Sequence, residues 1–248
     1  LVYDDLGIDV LGRDGSVVFM PQLKESYSGI STVNDLKICG TIALLAMSDG
    51  VVMADVKNGE FKSYYKLGKA VYSAIIHKDQ CFASTDNGIL ACPLSRNMAD
   101  PSQWTTVASE KATDFTVFAD AVYYNVREGS GKGFWRFTID NDGKSITPAK
   151  IADPVFPQLC ATAQTMLAKS GDWLFVYDKS NPFGAQTALQ VPEGCQTMAV
   201  GENGLIWSAS GFNGVKAYQL KDGAWVDQGV KLGGYGPKRD LCYYLRFH

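Results

Sequence analysis

Short apolar runs, each cut off by tight-turn residues, recur along the whole chain, and none keeps a helical period. Six phrases share one form: a turn of acidic, Asn or Gly residues followed at once by an apolar run. They are DLGIDVL at Gly7, SDGVVMADV at Gly50, DNGILACPL at Gly88, GKGFWRFTI at Gly133, SGDWLFVYD at Asp172 and FNGVKAYQL at Gly214. Successive anchors lie 43, 38, 45, 39 and 42 residues apart. A unit of about 40–45 residues is the length of one four-stranded propeller blade.

The pattern inside a unit agrees. In the second, Val33 to Ile38 reads as a first strand, Ala43 to Met47 as a second and Val51 to Val56 as a third. Asn58-Gly59 is a hairpin signal, and Phe61 to Tyr65 a fourth strand. The next unit repeats this as YSAIIH, CFAST, ILACPL and WTTVA, with SRNMADPSQ as a longer connection before the last strand. No stretch of helical length holds an i, i+3, i+4, i+7 apolar pattern free of Gly and Pro. The pattern predicts an all-β chain, a β-propeller of six four-stranded blades forming one domain over residues 1–248. Val2-Tyr3, Ile8 to Leu11 and Val17 to Phe19 supply three strands of a blade, and LCYYLRF (Leu241 to Phe247) supplies its missing first strand. Pairing of these ends would close the ring and remove its exposed edges. The chain opens at Leu1, inside a strand, as expected for a piece of a longer multidomain protein. A further blade upstream, making a ring of seven, stays open as an alternative.

Composition narrows the function classes. With 46% hydrophobic and 20% charged residues the chain is ordinary for a globular protein, and its 25 Gly suit many tight turns. Net charge is −3 and no run of Lys or Arg exceeds two residues, so nucleic acid is not an expected partner. No apolar stretch is long enough to span a membrane as a helix. The six cysteines (Cys39, Cys81, Cys92, Cys160, Cys195 and Cys242) show no CxxC spacing, which argues against zinc. Cys81 and Cys92 are equidistant from the Asp86-Asn87 turn and face each other across a hairpin, as a bridge or, more simply, as two buried thiols.

The usual catalytic signatures are thin. There are two histidines, His77 and the final His248, and a Ser-His-Asp arrangement would have to run through His77, at a strand end. Asp140 to Ser145 has a calcium-loop flavour, but Gly143 and Lys144 take the places of fourth and fifth residue and Ile151 that of the closing Glu, so a hairpin turn is the better reading. GSGKG (Gly129 to Gly133) lacks phosphate-loop spacing and reads as an extended turn between a second and a third strand. No cofactor, metal or catalytic residue is expected. Trp104, Trp135, Trp173, Trp207 and Trp225 fall about one per unit. Most are expected between blades, and sugar binding would need one or two exposed near a rim. Arg127, Lys132, Lys238 and Arg239 are the basic residues expected at one rim, where an acidic glycan or a phosphate-bearing headgroup would meet them.

Several phrases together are more specific. They are GIDVLGRDGSVVFMPQLKES, TVNDLKICG, GVVMADVKNGEFKSYYKLG and FASTDNGILACPLSRNMADPSQW. Their shared positions are Gly7–Leu11, Asp14-Gly15, Asn34-Asp35, Gly50–Asp55, Tyr65–Gly68, Gly88–Ala91 and Asn97–Trp104, and they resemble the amino-terminal β-propellers of the PorZ family. The likeness is dense over the first ~105 residues and looser after them, through IWSASGFNGVKAYQ and GPKRDLCYYLRF. The resemblance implies a non-catalytic scaffold and binding module of the type IX secretion system, in the periplasm or at the outer surface of a Gram-negative bacterium. It also implies lipopolysaccharide or a protein of the attachment complex as partner. Sensor propellers of hybrid two-component regulators share the same blade phrases, so a periplasmic glycan sensor is the alternative. A propeller enzyme is a third reading, without the cluster of His and carboxylates it would need.

Overall fold

The apolar runs are short and unbroken because the strands they form are covered on both faces. In the sheet of β3 (Val33–Cys39), β4 (Ile42–Met47), β5 (Gly50–Asp55) and β6 (Glu60–Lys66), every residue of β5 and all of β4 but Ile42 are buried. A strand buried on both faces loses the alternation of a one-sided sheet. The fourth strand keeps it: Glu60, Lys62 and Lys66 of β6 are exposed.

This computed structural model describes residues 8–11, 16–20, 32–140, 145–182, 184, 187–192, 195–201, 204–210, 214–222 and 224–232. A two-stranded pair, β1 (Ile8–Leu11) with β2 (Val17–Met20), precedes five four-stranded sheets, each an antiparallel meander in chain order. After β3–β6 come β7 (Val71–His77), β8 (Gln80–Thr85), β9 (Gly88–Pro93) and β10 (Thr105–Ala108), then β11 (Ala112–Phe118), β12 (Ala121–Val126), β13 (Gly133–Ile139) and β14 (Ile146–Ala152). Next are β15 (Gln158–Ala161), β16 (Thr165–Ser170), β17 (Trp173–Asp178) and β18 (Thr187–Gln190). The last sheet is β19 (Thr197–Val200), β20 (Ile206–Ser210), β21 (Gly214–Lys221) and β22 (Ala224–Leu232). Among the described residues the chain is all-β, with one turn of 3-10 helix, Pro101–Gln103, in the connection read as a loop; the Asp100 carboxylate caps it by accepting from Ser102 N at 2.9 Å. The expected closing strand Leu241–Phe247 and its partner Val2-Tyr3 lie outside the described residues.

The chain divides into two compact units. The first comprises Leu1–Phe115, Val126–Gly131 and Ile139–Ile146; the second comprises Thr116–Asn125, Lys132–Thr138 and Thr147–His248. In the first, Leu44, Val51, Met53, Val71, Leu90 and Trp104 fill the core of β3–β6 and β7–β10. In the second, Phe118, Tyr123, Phe134, Phe156, Met166 and Tyr177 form one cluster and Leu167, Leu174, Met198 and Ile206 belong to another.

The recurring glycine has a steric cause. Gly50, Gly88, Gly133 and Gly214 each open a third strand. At Gly88 and Gly133 φ is +105° and +146°, and a Cβ would fall on the carbonyl oxygen of Ala108 or Ala152 in the next strand. A Cβ on Gly50 would likewise meet Tyr65 O. At these three positions the fourth strand's backbone comes so close that only glycine fits. At the other end of the sheets, the β7–β8 and β11–β12 hairpins turn on Lys78-Asp79 (φ 47° and 57°) and Ala119-Asp120 (φ 46° and 64°), the paired left-handed conformation of a type I′ turn.

Cys81 and Cys92 stand directly opposite in register, as their spacing predicts, and both are buried free thiols rather than a bridge. Burial pushes both thiols above their ordinary pKa. Cys39 and Cys195 are free thiols as well, and Cys242 lies outside the described residues.

Candidate ligand-binding rim

In the first unit, the end of the sheets carrying the turns from second to third strand also carries the links from each fourth strand to the next first strand. Two first strands begin there with an irregularity. The pairing of β3 with β4 slips between Val33 and Asp35, and that of β7 with β8 between Val71 and Ser73. A bulge leaves one residue out of the ladder and re-aims its side chain. Here those residues are Asn34 and Tyr72. Asn34 Nδ2 donates to Val71 O at 2.8 Å. Near the start of β11, Asp114 has φ +58°, an uncommon conformation for a residue other than glycine.

Two polar clusters stand on this end. In one, Tyr72 Oη donates to Asp86, 2.9 Å from Oδ1. Lys111 Nζ donates to the same oxygen at 2.9 Å while lying 3.5 Å above the centre of the Tyr72 ring. The Lys111 bond, then the Tyr72 bond, hold the Asp86 carboxyl below its ordinary pKa. In the other cluster, Arg127 Nε donates to Thr113 Oγ1 at 3.0 Å and Nη2 to Asp114 Oδ2 at 2.8 Å. Half of the Arg127 side chain stays open to solvent, so its remaining N–H groups face outward. The stem of Glu110 lies beside Gly131, in the turn that follows Arg127. The rim is therefore of mixed sign, with Asp86, Glu110 and Asp114 alongside Lys111 and Arg127.

Of the four basic residues expected at one rim, Arg127 is held as just described. Lys132 is exposed immediately before β13. Lys238 and Arg239 lie outside the described residues. Tyr72, Asp86 and Lys111 were not singled out from sequence. The bulge that turns Tyr72 toward Asp86 leaves no mark in a hydrophobic pattern, since Tyr fits a strand equally well.

Beneath the rim, Ser73 Oγ donates to Asp35 Oδ2 at 2.6 Å and accepts from Phe115 N at 3.3 Å. Ser73 is wholly buried and Lys37 Nζ lies 3.5 Å from the same Asp35 oxygen. These bonds tie three first strands together and leave the serine no role as a nucleophile. His77 ends β7 at the far end of its sheet, opposite Gln80. Among the described residues no three His, Cys, Asp or Glu side chains gather to hold a metal ion. A shallow cavity of about 320 Å3 also lies at that far end of β7–β10, lined in part by Gln80, Pro93, Arg96 and Gln103. Among the described residues Arg96 is its one charged side chain, and no nucleophile and base meet there.

The family described as "TSS9, PorZ, N-terminal beta-propeller domain" matches residues 1–105. No curated protein matches the sequence. Among solved structures, the chain is similar to PorZ of Porphyromonas gingivalis, described as an essential bacterial surface component of the type-IX secretion system. The likeness has a TM-score of 0.74 at 19% identity, over 96% of this chain and 31% of that one. It is also similar to regucalcin, a calcium-binding protein of Agrobacterium tumefaciens, with a TM-score of 0.54 at 14% identity over 78% of this chain and 72% of that one. A chain of the mitotic checkpoint complex gives 0.59 at 11% identity, over 90% of this chain and 72% of that one. At such identities the likeness is one of fold, and the chain spans about a third of the length of the P. gingivalis protein. The resemblance read from the quoted phrases is thus matched over residues 1–105 by the model of the PorZ amino-terminal β-propeller, and the fold is propeller-like.

Proposed function

We propose that the chain is the non-catalytic binding and scaffold propeller of a PorZ-like cell-surface protein of the type IX secretion system, a single domain of six blades. In this reading Leu241–Phe247 pairs with the first strands to close the ring, and the protein lies beyond the cytoplasm of a Gram-negative bacterium. Its partner is lipopolysaccharide or a protein of the attachment complex. The family match over residues 1–105 carries the reading. The rim supports a binding role: bulged first strands present donors and acceptors of both signs, fixed by bonds to each other, while the one serine in the network is sealed by its own hydrogen bonds. Such a rim suits a ligand that mixes hydroxyls with a few charges better than a polyanion.

Lipopolysaccharide immobilised on a sensor surface tests this, with the 248-residue chain in solution and Arg127→Ala, Lys132→Ala and Arg239→Ala as variants. The expected result is saturable binding that weakens in Arg127→Ala. Saturable binding that is equal in all three variants removes the rim. A chain that binds neither lipopolysaccharide nor proteins of the attachment complex contradicts the reading.

A further inference from the structure

Five tryptophans were candidates for an exposed aromatic, and four are committed inside the fold. Trp104 is 8% exposed and its indole donates to Met98 O at 2.9 Å. Trp225 is half-buried and donates to Gln190 O at 2.8 Å. Trp135 stacks on Tyr124, with ring centres 6.4 Å apart and 21° between planes, and Trp207 is half-buried. Trp173 is different: it is 52% exposed, and its indole has no hydrogen-bond partner among the described residues.

Its place in the repeat is also the exception. Trp173 opens β17, the position that Gly50, Gly88, Gly133 and Gly214 hold in the other four sheets. A large, rigid, half-solvated ring thus replaces a residue without a side chain. It stands at the end of its sheet that carries the turn from second to third strand. The turn before it supplies exposed Asp172, and Gln190, directly opposite in register, is exposed too. Both backbones are pinned: Asp172 O accepts from Val191 N at 2.8 Å, and Gln190 O accepts from the Trp225 indole. Little backbone ordering is left to be lost when a ligand binds here.

We propose that Trp173 is a stacking platform for an uncharged pyranose ring, with Asp172 and Gln190 taking its hydroxyls. A sugar presents an apolar C–H face bordered by donors and acceptors, and this group offers the complement: an open aromatic face with a carboxylate and an amide beside it. The chemistry favours a neutral sugar over a phosphate, because the residue before Trp173 is an acid and neither Asp172 nor Gln190 would draw an anion. This deepens the ligand-binding reading above, and rests on it in taking the ligand to be a glycan.

The 248-residue chain would be titrated with three probes: polysaccharide released from lipopolysaccharide by mild acid, maltohexaose and cellohexaose. Saturation-transfer NMR and tryptophan fluorescence report binding. Trp173→Gly installs the residue the other sheets carry; Trp173→Gln serves if that variant misfolds, and Trp173→Phe keeps a ring. The expected result is that one probe binds, with its ring C–H protons saturated from the protein. Affinity should fall roughly tenfold in Trp173→Gly or Trp173→Gln and stay close to wild type in Trp173→Phe. Equal affinity in wild type and Trp173→Gly, or no binding of any probe to the wild type, overturns the proposal. If intact lipopolysaccharide still binds in an Arg127-dependent way under either outcome, the broader reading stands and only the Trp173 site falls.

Discussion

Between β3–β6 and β7–β10 the core is mostly aliphatic, with many small residues: Leu44, Ala46, Val51, Val71, Ala74, Cys81, Ala83 and Cys92, joined by Trp104. In the second unit the cluster drawn from β11–β13 and β15–β17 is built on rings. Phe134 sits among Tyr123, Phe156 and Tyr177, with ring centres 5.7, 5.0 and 5.9 Å away, and Phe156 meets Phe175 at 5.0 Å. The strand order is the same in both. The meander is thus specified by where turns and strand lengths fall, and the space between sheets is filled by whatever combination of volumes closes it. The ring-filled core brings polar work with it. Buried Asn125 donates to Phe156 O at 2.6 Å and accepts from Phe156 N at 2.8 Å, fixing the ring that packs on Phe134. Tyr123 Oη donates to Pro182 O at 2.8 Å.

The largest effect should come from the hub. Phe134→Ala is expected to cost about 3–5 kcal/mol, read from the shift in urea midpoint, against about 2–3 kcal/mol for Leu44→Ala in the aliphatic core. Small neighbours around Leu44 close more readily on a lost side chain than a shell of rigid rings does. Equal costs would show that the two fillings are energetically interchangeable. Next, Asn125→Ala should cost about 1–3 kcal/mol, because it strands both backbone groups of Phe156 away from water. A loss no larger than that of an exposed substitution would mean that water takes the amide's place.

A smaller effect separates close approach from backbone conformation. Gly88→Ala sets a Cβ on Ala108 O at a left-handed φ and should destabilise by more than 2 kcal/mol; Gly40→Ala, at φ +64° with nothing near its Cβ, should cost only about 1 kcal/mol. Similar thermal midpoints for the two variants would remove the steric account of the repeated glycine.

The smallest effect concerns the rim. Lys111→Ala should leave the unfolding midpoint almost unchanged, since the pair is exposed. It should nevertheless move the NMR-observed titration of Asp86 upward, toward the ordinary Asp range. The sign follows from the direction of the shift. The folded-state pKa is depressed, so the carboxylate's contribution is present above the unfolded value and is lost as pH falls through the folded one. An Asp86 titration that stays put in the variant would show that Lys111 is not what holds it down.

Much of the fold was legible because turn chemistry and strand length are local. Each described third strand begins at or directly beside its anchor, and the second strands match to within a residue where they were drawn. Even the facing of Cys81 and Cys92 followed from counting back from one tight turn. The 3-10 turn at Pro101–Gln103 was missed because three residues leave no periodicity to see. The rim was legible only in part. Arg127 stood out by charge, whereas its engagement with Thr113 and Asp114 depends on the left-handed backbone at Asp114, which no residue type announces. Tyr72, Asp86 and Lys111 come together from a bulge, a turn and an interstrand link, three places whose proximity is a tertiary fact. Trp173 was one tryptophan among five until its burial could be compared with the others.

Hydrogen–deuterium exchange of the chain with and without lipopolysaccharide tests the binding rim most directly. Added protection is predicted at the Asp86-Asn87 turn, across Ser109 to Asp114, and at Arg127 to Gly131, with no change at the Lys78-Asp79 and Ala119-Asp120 hairpins. Protection gained at those hairpins instead, or none anywhere at saturating lipopolysaccharide, would contradict the account.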